Sequence, residues 1–382
     1  MDTYPGIFLD RRRGPLLRWP AEHEMDLAIV GLRTSGKTSA FKALTAGHGS
    51  VGGDARAEHI GAVKIPDDRL EKLAVLVHAR KVTPLEVLLH DLPPVFEKGA
   101  GPSGEAGESL AKADALLHVV RAFHRDDVPH PQGSVDPARD VAAFDAEMML
   151  SDLGIIERRL DKLDITVRTG RPEEREAGAR EQALLVRCKG LLEQEKPLRG
   201  AITDPADVRA LANFGLLSLK PLLVLVNIDE SDAGRASELE AEFAARFGGP
   251  GTSATAMCAK LEAELSELSP DEAEEFRQEL GAEAGATRRV LGKVIELLGL
   301  ITFFTAGEKE TRAWSLVAGG SALQAAGRIH TDIERGFIRA EVIDWDKLLE
   351  FGSHAEARKH GQLRTEGKAY TLQDGDVINV LF

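Results

Sequence analysis

The segment Gly31–Thr38 carries the clearest chemical signal in this sequence. It fits the pattern Gly-x-x-x-x-Gly-Lys-[Ser/Thr], in which successive backbone N–H groups and one lysine surround a polyphosphate. Glycine lets the chain wrap closely around the anion, and the positive end of the following helix faces the same charge. We expect Lys37 to contact the β- and γ-phosphates and Thr38 to bind Mg²⁺. The pattern predicts a nucleoside triphosphate site.

A second segment, Asn227–Glu230, ends an apolar strand and indicates which base is bound. GTPases usually carry Asn/Thr-Lys-x-Asp here, and the aspartate accepts two hydrogen bonds from guanine. This chain has Asn227-Ile228-Asp229-Glu230, without the lysine and with glutamate in place of that aspartate. The segment therefore disfavours a GTPase.

A sheet must position these segments, and the apolar pattern predicts one. Buried strands are predicted at Met25–Gly31, Val82–Asp91, Leu116–Val120 and Leu222–Val226. A helix is predicted at Thr38–Ala46, followed by a loop at Gly47–Gly53. Short apolar strands that alternate with helices are typical of an α/β fold, with helices on both faces of a parallel sheet. The phosphate pattern then lies where a predicted strand ends and a predicted helix begins. A phosphate-binding loop requires this context, whereas an ordinary glycine turn does not.

Two other regions have a different pattern. Val141–Glu195 is rich in Glu, Arg, Leu and Ala at helical spacing and predicts two antiparallel helices, the second over Pro172–Gln194. After Gly299, strands are predicted at Ile301–Phe304 and Ala313–Val317, and the Asp-Gly turn within Lys368–Phe382 predicts two more strands.

The predicted domain organisation has four parts. Residues 1–24 form an extension, expected to be unstructured. Residues 25–140 and 205–298 form the P-loop nucleotide-binding domain, and residues 141–204 an inserted helical hairpin. Residues 299–382 form a small α+β domain.

At this point the chain resembles the YchF/Obg-like ATPases, a family that carries the Asn-x-x-Glu variant and prefers ATP. The resemblance extends over nearly all of residues 25–382. It rests on several segments in the same order as in the family: Pro66–Leu73, Leu117–Phe123, Val135–Asp140, Ala259–Leu265, Thr305–Trp314, Ile329–Asp332 and Gly336–Val342. The last three resemble the family's C-terminal TGS-type domain, and Ala259–Leu265 resembles the loop that flanks the base.

The resemblance implies a role for particular residues. Phosphates and magnesium would be held by Arg33, Thr34, Ser35, Gly36, Lys37, Thr38 and Ser39, with Lys37 as the catalytic residue. Asn227, Ile228 and Glu230 would contact adenine. Thr38 and Asp91 would hold Mg²⁺, the aspartate through water. The hairpin would be the family's coiled coil, and the implied partner is a ribosomal particle.

Three departures from the family weaken the prediction of catalysis. Gly53–Gly61 has Ala55 where the family's first switch has a threonine that completes the magnesium shell. Asp91-Leu92-Pro93-Pro94 has proline where the second switch, Asp-x-x-Gly, has a glycine whose N–H contacts the γ-phosphate. In the phosphate loop, Arg33 and Ser35 replace proline and valine.

Composition limits the class of protein. The 382 residues carry a net charge of −14, which argues against a basic surface that wraps duplex DNA. The two cysteines, Cys188 and Cys258, form no ligand spacing and fit a reducing cytosol. No apolar run reaches the ~20 residues of a membrane helix. We therefore expect a cytoplasmic protein that binds neither DNA nor membrane.

The remaining candidate residues have an ordinary alternative. His90 and His118 are possible bases, but their strand pattern favours packed core residues. Basic side chains on the terminal module and the hairpin would bind RNA phosphates or belong to a mixed-charge surface: Lys309, Arg312, Arg328, Arg335, Arg339, Arg158, Arg159 and Lys162.

Two functions remain open from the sequence. The first is a slow ATPase that switches its contact with the ribosome. The second is a nucleotide-gated binding protein with negligible turnover. In this case Pro94 and the missing switch threonine are the result of a loss of catalytic activity.

Overall fold

The computed structural model describes residues 25–47, 58–96, 102 and 104–382. The predicted extension at 1–24 lies outside these residues, as does Ala55. The described residues form two six-stranded sheets with helices packed against them. Strands and helices are numbered in chain order.

The first sheet contains β1 (Met25–Val30), β2 (His59–Ile65), β4 (Leu85–Asp91), β5 (Ala115–Arg121), β6 (Leu222–Asn227) and β7 (Thr252–Met257). Its order is β2-β4-β1-β5-β6-β7, and neighbouring strands are parallel except for β2, which runs antiparallel to β4 at the edge. Every residue of β5 and β6 is buried, because helices cover both faces of the sheet. The predicted α/β architecture is confirmed.

Helices cover the first sheet on both sides. α1 (Lys37–Thr45) and α10 (Ala286–Leu297) bury apolar residues against one face, and α3 (Gly104–Lys112) and α7 (Ala236–Phe247) against the other. The other helices of this part are α2 (Asp68–Leu76), α6 (Pro205–Leu211), α8 (Ala259–Leu265) and α9 (Pro270–Leu280), with short 3₁₀ turns at Ala212–Phe214 and Glu230–Arg235.

The predicted helical hairpin consists of α4 (Pro137–Thr169) and α5 (Pro172–Leu192). The predicted start at Val141 was too late. The Asp136 side chain accepts two backbone N–H hydrogen bonds from the first turn of α4, and Pro137 suits a first helical position, so the helix begins there. With 33 residues, α4 is about 50 Å long.

Buried polar contacts connect the end of the hairpin that lies nearest the first sheet, its base, to the segments around that sheet. The Asp152 carboxylate of α4 is fully buried and accepts hydrogen bonds from the N–H groups of Leu217 (2.8 Å) and Ser218 (2.7 Å), which precede β6. Burial raises the pKa of Asp152 to about 6. The buried Arg199 guanidinium, beyond α5, pairs with Asp145 of α4. The orientation of the hairpin is therefore fixed at its base.

The second sheet contains β3 (Val82–Thr83), β8 (Leu300–Ala306), β9 (Thr311–Val317), β10 (Arg339–Asp344), β11 (Arg364–Glu366) and β12 (Asp376–Leu381), in the order β11-β10-β12-β8-β9-β3. Four helices accompany it: α11 (Ala322–Ile329), α12 (Thr331–Arg335), α13 (Trp345–Phe351) and α14 (His354–Lys359). The strands predicted at Ile301–Phe304 and Ala313–Val317 are confirmed within β8 and β9.

The strand predicted at Val82–Asp91 is in fact two strands in two different sheets. β3 pairs with β9 of the second sheet, whereas β4 pairs with β1 and β2 of the first. Pro84 separates them, since proline has no N–H with which to continue a ladder. The Thr83 hydroxyl also donates to the Glu310 carboxylate at 2.6 Å, so this short segment joins the two sheets.

The Asp-Gly turn near the C-terminus does not join a pair of strands, and that prediction was wrong. β11 and β12 lie on opposite sides of β10. The Asp374 carboxylate accepts the Thr302 N–H at 2.8 Å, and the Gly375 N–H donates to the Thr302 carbonyl at 2.8 Å. The turn closes onto β8, a tertiary partner that local turn chemistry does not reveal.

Among the elements that were not predicted or were misassigned are β2, β7 and α8. The edge strand β2 alternates buried and exposed residues around Gly61, and β7 contains small residues and threonines instead of a bulky apolar run. The segment Ala259–Leu265, expected to be a loop, is α8. Across the described part of the chain, no helix combines the length and the apolar character that crossing a bilayer requires.

We predict that Asp152→Ala lowers the free energy of unfolding by about 2–4 kcal/mol, because two buried N–H groups lose their acceptor. Urea unfolding at neutral pH measures the change. Asp161→Ala, on the exposed side of the same helix, is the matched control and should change stability by no more than about 0.5 kcal/mol. Equal losses in the two variants would contradict the anchoring role of Asp152.

Candidate nucleotide-binding site

The phosphate-binding pattern forms the turn between β1 and α1, with backbone angles that demand its glycines. Gly31 has φ 147° and Gly36 has φ 93°. A Cβ atom on Gly31 would lie 2.4 Å from the Val119 carbonyl oxygen, and one on Gly36 would lie 2.1 Å from the Asn227 side-chain nitrogen. Thr34 adopts φ 62°, a left-handed backbone conformation that costs a non-glycine residue about 1–2 kcal/mol of conformational free energy. The turn is therefore held in a strained, anion-cradling shape by its packing against β5 and β6.

The first turn of α1 suits an anion. Gly36 provides no side-chain cap to the helix, and no acidic residue occupies the first turn. The Lys37 ammonium lies over the loop and donates to the carbonyl oxygens of Gly31 (2.9 Å) and Leu32 (3.3 Å). Helix N–H groups and an ammonium that converge on one turn make a site for phosphate.

The two predicted magnesium ligands lie together, although they are far apart in the chain. The Thr38 hydroxyl donates to the Asp91 carboxylate at 3.0 Å, because β4 and β1 are neighbours and end at the same edge of the sheet. Burial raises the pKa of Asp91 above its usual value, although the Thr38 hydrogen bond and the charges of Lys37 and His59 oppose this shift. A hydroxyl and a carboxylate beside a polyphosphate are oxygen donors that fit Mg²⁺.

A third side chain, which the sequence analysis did not identify, lies near this carboxylate. His59, the first residue of β2, is opposite Asp91 in the strand register, and its Nδ1 lies 3.7 Å from Asp91 Oδ2. The ring is buried and lies beside Phe41. Its position depends on the antiparallel edge strand, which was not predicted.

Asn227 connects the phosphate loop to the base-side elements. Its side-chain N–H donates to the Ser35 carbonyl at 2.9 Å, and its side-chain oxygen accepts the Ala259 N–H at 3.0 Å. Asn227 is buried at the end of β6. An amide has two N–H donors, so one remains for a base.

The other two predicted adenine contacts differ in character. The Ile228 side chain is buried in the core between the sheet and its helices, which leaves only its backbone to contact a base. Glu230 lies at the start of a 3₁₀ turn, with its carboxylate 3.3 Å from the Lys260 ammonium of α8. Glu230 is therefore the accessible acceptor at this end of the site.

An aromatic ring that the sequence analysis did not select stands beside the loop. A Cβ on Gly36 would lie 3.9 Å from the Phe123 ring, which is half-buried. The Arg121 guanidinium covers the ring at 4.5 Å from its centroid and donates to three carbonyl oxygens of the following loop. Only its position near Gly36 and Asn227, fixed by the sheet, distinguishes Phe123 from other aromatic residues.

A cavity of about 520 Å³ is lined in part by the phosphate loop. Its walls come from the loop, the segment after β4, the segment before α4, and α4 itself: Gly31, Leu32, Arg33, Pro94, Val95, Phe96, Pro131, Gln132 and Phe144. Among these described residues, Arg33 and Gln132 are the polar side chains. We call it the switch cavity. It contains no carboxylate or imidazole from its described lining residues that would act as a base.

The two histidines considered as bases have different surroundings. His118 is buried and stacked on Phe144, with ring centroids 4.2 Å apart, and burial together with the nearby Lys37 and Arg199 lowers its pKa to about 3. It is a packed core residue, as predicted. His90 is not: its ring is partly exposed and lies between the carboxylates of Glu58 (2.6 Å) and Asp26 (3.2 Å).

The phosphate-loop departures have different consequences. Arg33 and Thr34 are exposed, whereas Ser35 is buried and its hydroxyl makes no hydrogen bond. Ser39 is half-buried in the first turn of α1. Pro94 faces the switch cavity at the position where the family has a glycine N–H.

The comparisons with known proteins agree with this architecture. The family model YchF-GTPase_C, described as a protein of unknown function (DUF933), matches residues 300–382. The "Ribosome-binding ATPase YchF" of Bacillus subtilis (strain 168) is 35% identical over 362 residues, which cover 93% of this chain and 98% of that protein. The protein of the same name from Mycoplasma genitalium is 32% identical over 94% of this chain and 99% of its own length.

A solved structure has the same fold over nearly the full length of this chain. The "Structure of the Schizosaccharomyces pombe YchF GTPase" superposes with a TM-score of 0.79 and 27% sequence identity, and covers 96% of this chain and 100% of that one. The names of these relatives differ in the nucleotide that they give, ATP or GTP. With relatives of at least 30% identity matched over nearly their full length, the chain belongs to the YchF family.

Proposed function

We propose that this protein binds ATP with Mg²⁺ and acts as a slow ATPase that switches its association with a ribosomal particle. The observation that carries the proposal is the convergence of three parts of the site. Lys37 and the glycine turn, the Thr38–Asp91 pair, and the strand end at Asn227 meet around one phosphate loop. The names of the bacterial relatives support the nucleotide and the partner.

The phosphate half of the proposal rests on the groups around the loop. Gly36, Lys37 and Thr38 present donors at the start of α1, with Arg33, Thr34, Ser35 and Ser39 beside them. A bound Mg²⁺ would neutralise charge on the β- and γ-phosphates, and Thr38 and Asp91 would hold it. Lys37 serves as the catalytic point charge on the transferred phosphoryl group.

The choice of base rests on Asn227 and Glu230. Glu230 would accept a hydrogen bond from the amino group of adenine, and the Lys-x-Asp whose aspartate accepts two hydrogen bonds from guanine is absent. Ile228 contributes through its backbone. The Phe123 ring, near Gly36, provides an apolar surface for either purine and does not discriminate between them.

Hydrolysis is expected to be slow because proline at position 94 removes a backbone donor from the second switch. Pro94 cannot donate a hydrogen bond to the γ-phosphate, and loss of one such donor costs about 100- to 1,000-fold in rate. The alternative, a nucleotide-gated binding protein with negligible turnover, is favoured by the same observation. Phosphate release over hours separates the two.

The cavity also suggests how the nucleotide state reaches the hairpin. Phe96, after β4, contacts Phe144 of α4 edge to face at 5.2 Å between ring centroids. Phe144 in turn stacks on His118 of β5. Movement of the segment after Pro94 would therefore press directly on α4.

The basic residues support a ribosomal partner only in part. Arg159 pairs with Glu181 and Arg335 with Asp332, and Arg328 is half-buried and donates to the Ser315 carbonyl. These three belong to a mixed-charge surface or to the core. Arg158, Lys162 and Arg339 are exposed and are the better candidates for RNA phosphates.

We expect Lys37→Ala to lower the affinity for ATP with Mg²⁺ roughly 10- to 100-fold, because a charged hydrogen bond to phosphate is lost. It should also abolish single-turnover hydrolysis. Calorimetry and phosphate release measure the two effects. Lys42→Ala, on the exposed side of α1, is the control and should bind normally. Normal ATP binding by Lys37→Ala would overturn the assignment of the loop.

ATP should bind at least about tenfold more tightly than GTP, the difference expected from one charged hydrogen bond. Calorimetry with both nucleotides measures the ratio. Glu230→Ala should reduce this ratio, whereas Asp232→Ala in the same 3₁₀ turn should preserve it. Equal affinities in the unmodified protein would remove the adenine assignment.

Pro94→Gly should raise the single-turnover rate of ATP hydrolysis by about 10- to 100-fold, because a backbone N–H returns to the switch cavity. Affinity for ATP should change little. Pro93→Gly adds the same flexibility one residue earlier and should have a much smaller effect on the rate. Similar rates in both variants would show that the missing donor at position 94 does not limit catalysis.

A further inference from the structure

Beside the proposed magnesium ligands Thr38 and Asp91 lies one side chain, His59, to which the proposed function gives no role. His59, Thr38 and Asp91 come from β2, α1 and β4 and meet at a single atom, Asp91 Oδ2. Thr38 Oγ1 lies 3.0 Å from it and His59 Nδ1 lies 3.7 Å from it. The His59 ring is buried beside Phe41, and its Nδ1 is at ion-pair distance from the Asp91 carboxylate.

We propose that His59 is a direct ligand of the nucleotide-bound metal ion and makes the site select a first-row transition ion, such as Mn²⁺, over Mg²⁺. The inference rests on the proposed binding of ATP, because the phosphates supply the remaining ligands. The described residues contain no group of three or more His, Cys, Asp or Glu side chains suited to a metal, so the protein alone would not hold the ion.

The distances suit one shared ion. With bonds of about 2.1 Å, adjacent ligands of a six-coordinate ion lie about 3.0 Å apart and opposite ligands about 4.2 Å apart. The spacing of Thr38 and Asp91 equals the first value, and that of His59 and Asp91 lies between the two. Small side-chain movements therefore bring all three groups onto one ion.

The position of His59 also suits the departure in the first switch. Ala55, outside the described residues, cannot supply the oxygen that the family's threonine gives to magnesium. The imidazole of His59 starts the next strand, on the same side of the sheet as Asp91. The imidazole would therefore supply a ligand where the sequence lacks the family's threonine oxygen.

The type of ligand determines the metal. Mg²⁺ prefers oxygen donors and near-ideal octahedral geometry, whereas first-row transition ions accept imidazole nitrogen. Thr38 and Asp91 would offer oxygen ligands and His59 a nitrogen ligand. This mixed set shifts the metal preference of the site away from Mg²⁺. The charge of Lys37 also acts on Asp91, but its ammonium donates to carbonyl oxygens of the phosphate loop and, as a cation, does not compete for the ion.

Pulsed electron paramagnetic resonance on the full chain with ATP and Mn²⁺ tests the ligand directly, without any substitution. We expect nitrogen modulation from a coordinated imidazole, which changes when the protein is made with ¹⁵N-histidine. His59→Asn should remove this signal. His90→Asn is the matched control, since His90 adjoins Asp91 in sequence but lies on the opposite side of β4, and the signal should persist.

Competition gives a second measurement. Mg²⁺ should displace Mn²⁺ from the ATP complex of His59→Asn on the order of tenfold more easily than from the unmodified protein, as for loss of other metal-site groups. A nitrogen signal, together with easier displacement of Mn²⁺ by Mg²⁺ in His59→Asn, supports the inference. Bound Mn²⁺ and ATP without imidazole coupling would overturn it and leave ATP binding intact. Failure to bind ATP with either ion would instead overturn the proposed function.

Discussion

The Asn227 amide is the contact on which the rest of the site depends. It donates to the carbonyl of Ser35 in the phosphate loop and accepts the N–H of Ala259 at the start of α8, so one buried side chain joins β1, β6 and β7 at their carboxyl ends. The Asn227 side chain approaches Gly36 so closely that no side chain fits at position 36. The elements that would bind phosphate and base are therefore held at a fixed separation.

A second constraint is the buried charge of Asp91. A carboxylate removed from water needs partners, and Thr38, Lys37 and His59 surround this one. The same carboxylate begins the second switch, where two prolines replace the flexible segment that ends in glycine. The proposed site thus combines candidate groups for phosphates and a metal with a switch cavity in which Pro94 offers no N–H donor.

The sequence was sufficient for the local features of the site and for the family. The phosphate loop, the Asn-x-x-Glu strand end and the central strands β1, β5 and β6 follow from patterns of a few residues, because glycine geometry and buried apolar runs have few alternative structures. The hairpin followed from helical spacing, with an error at its start, where the Asp136 cap decides the first residue. The roles of Ile228 and Glu230 at a base stay predictions.

Tertiary structure decided what depends on partners distant in the chain. Only pairing with β9 shows that Val82 and Thr83 leave the first sheet, and only β8 explains the turn at Asp374 and Gly375. His59 and Phe123 gain their places beside Asp91 and Gly36 through strand register. The sequence by itself determined that a phosphate loop exists and which family carries it, because those signals are local. The fold decided which side chains meet around the phosphate loop, because contacts between residues distant in the chain cannot be inferred from local sequence spacing.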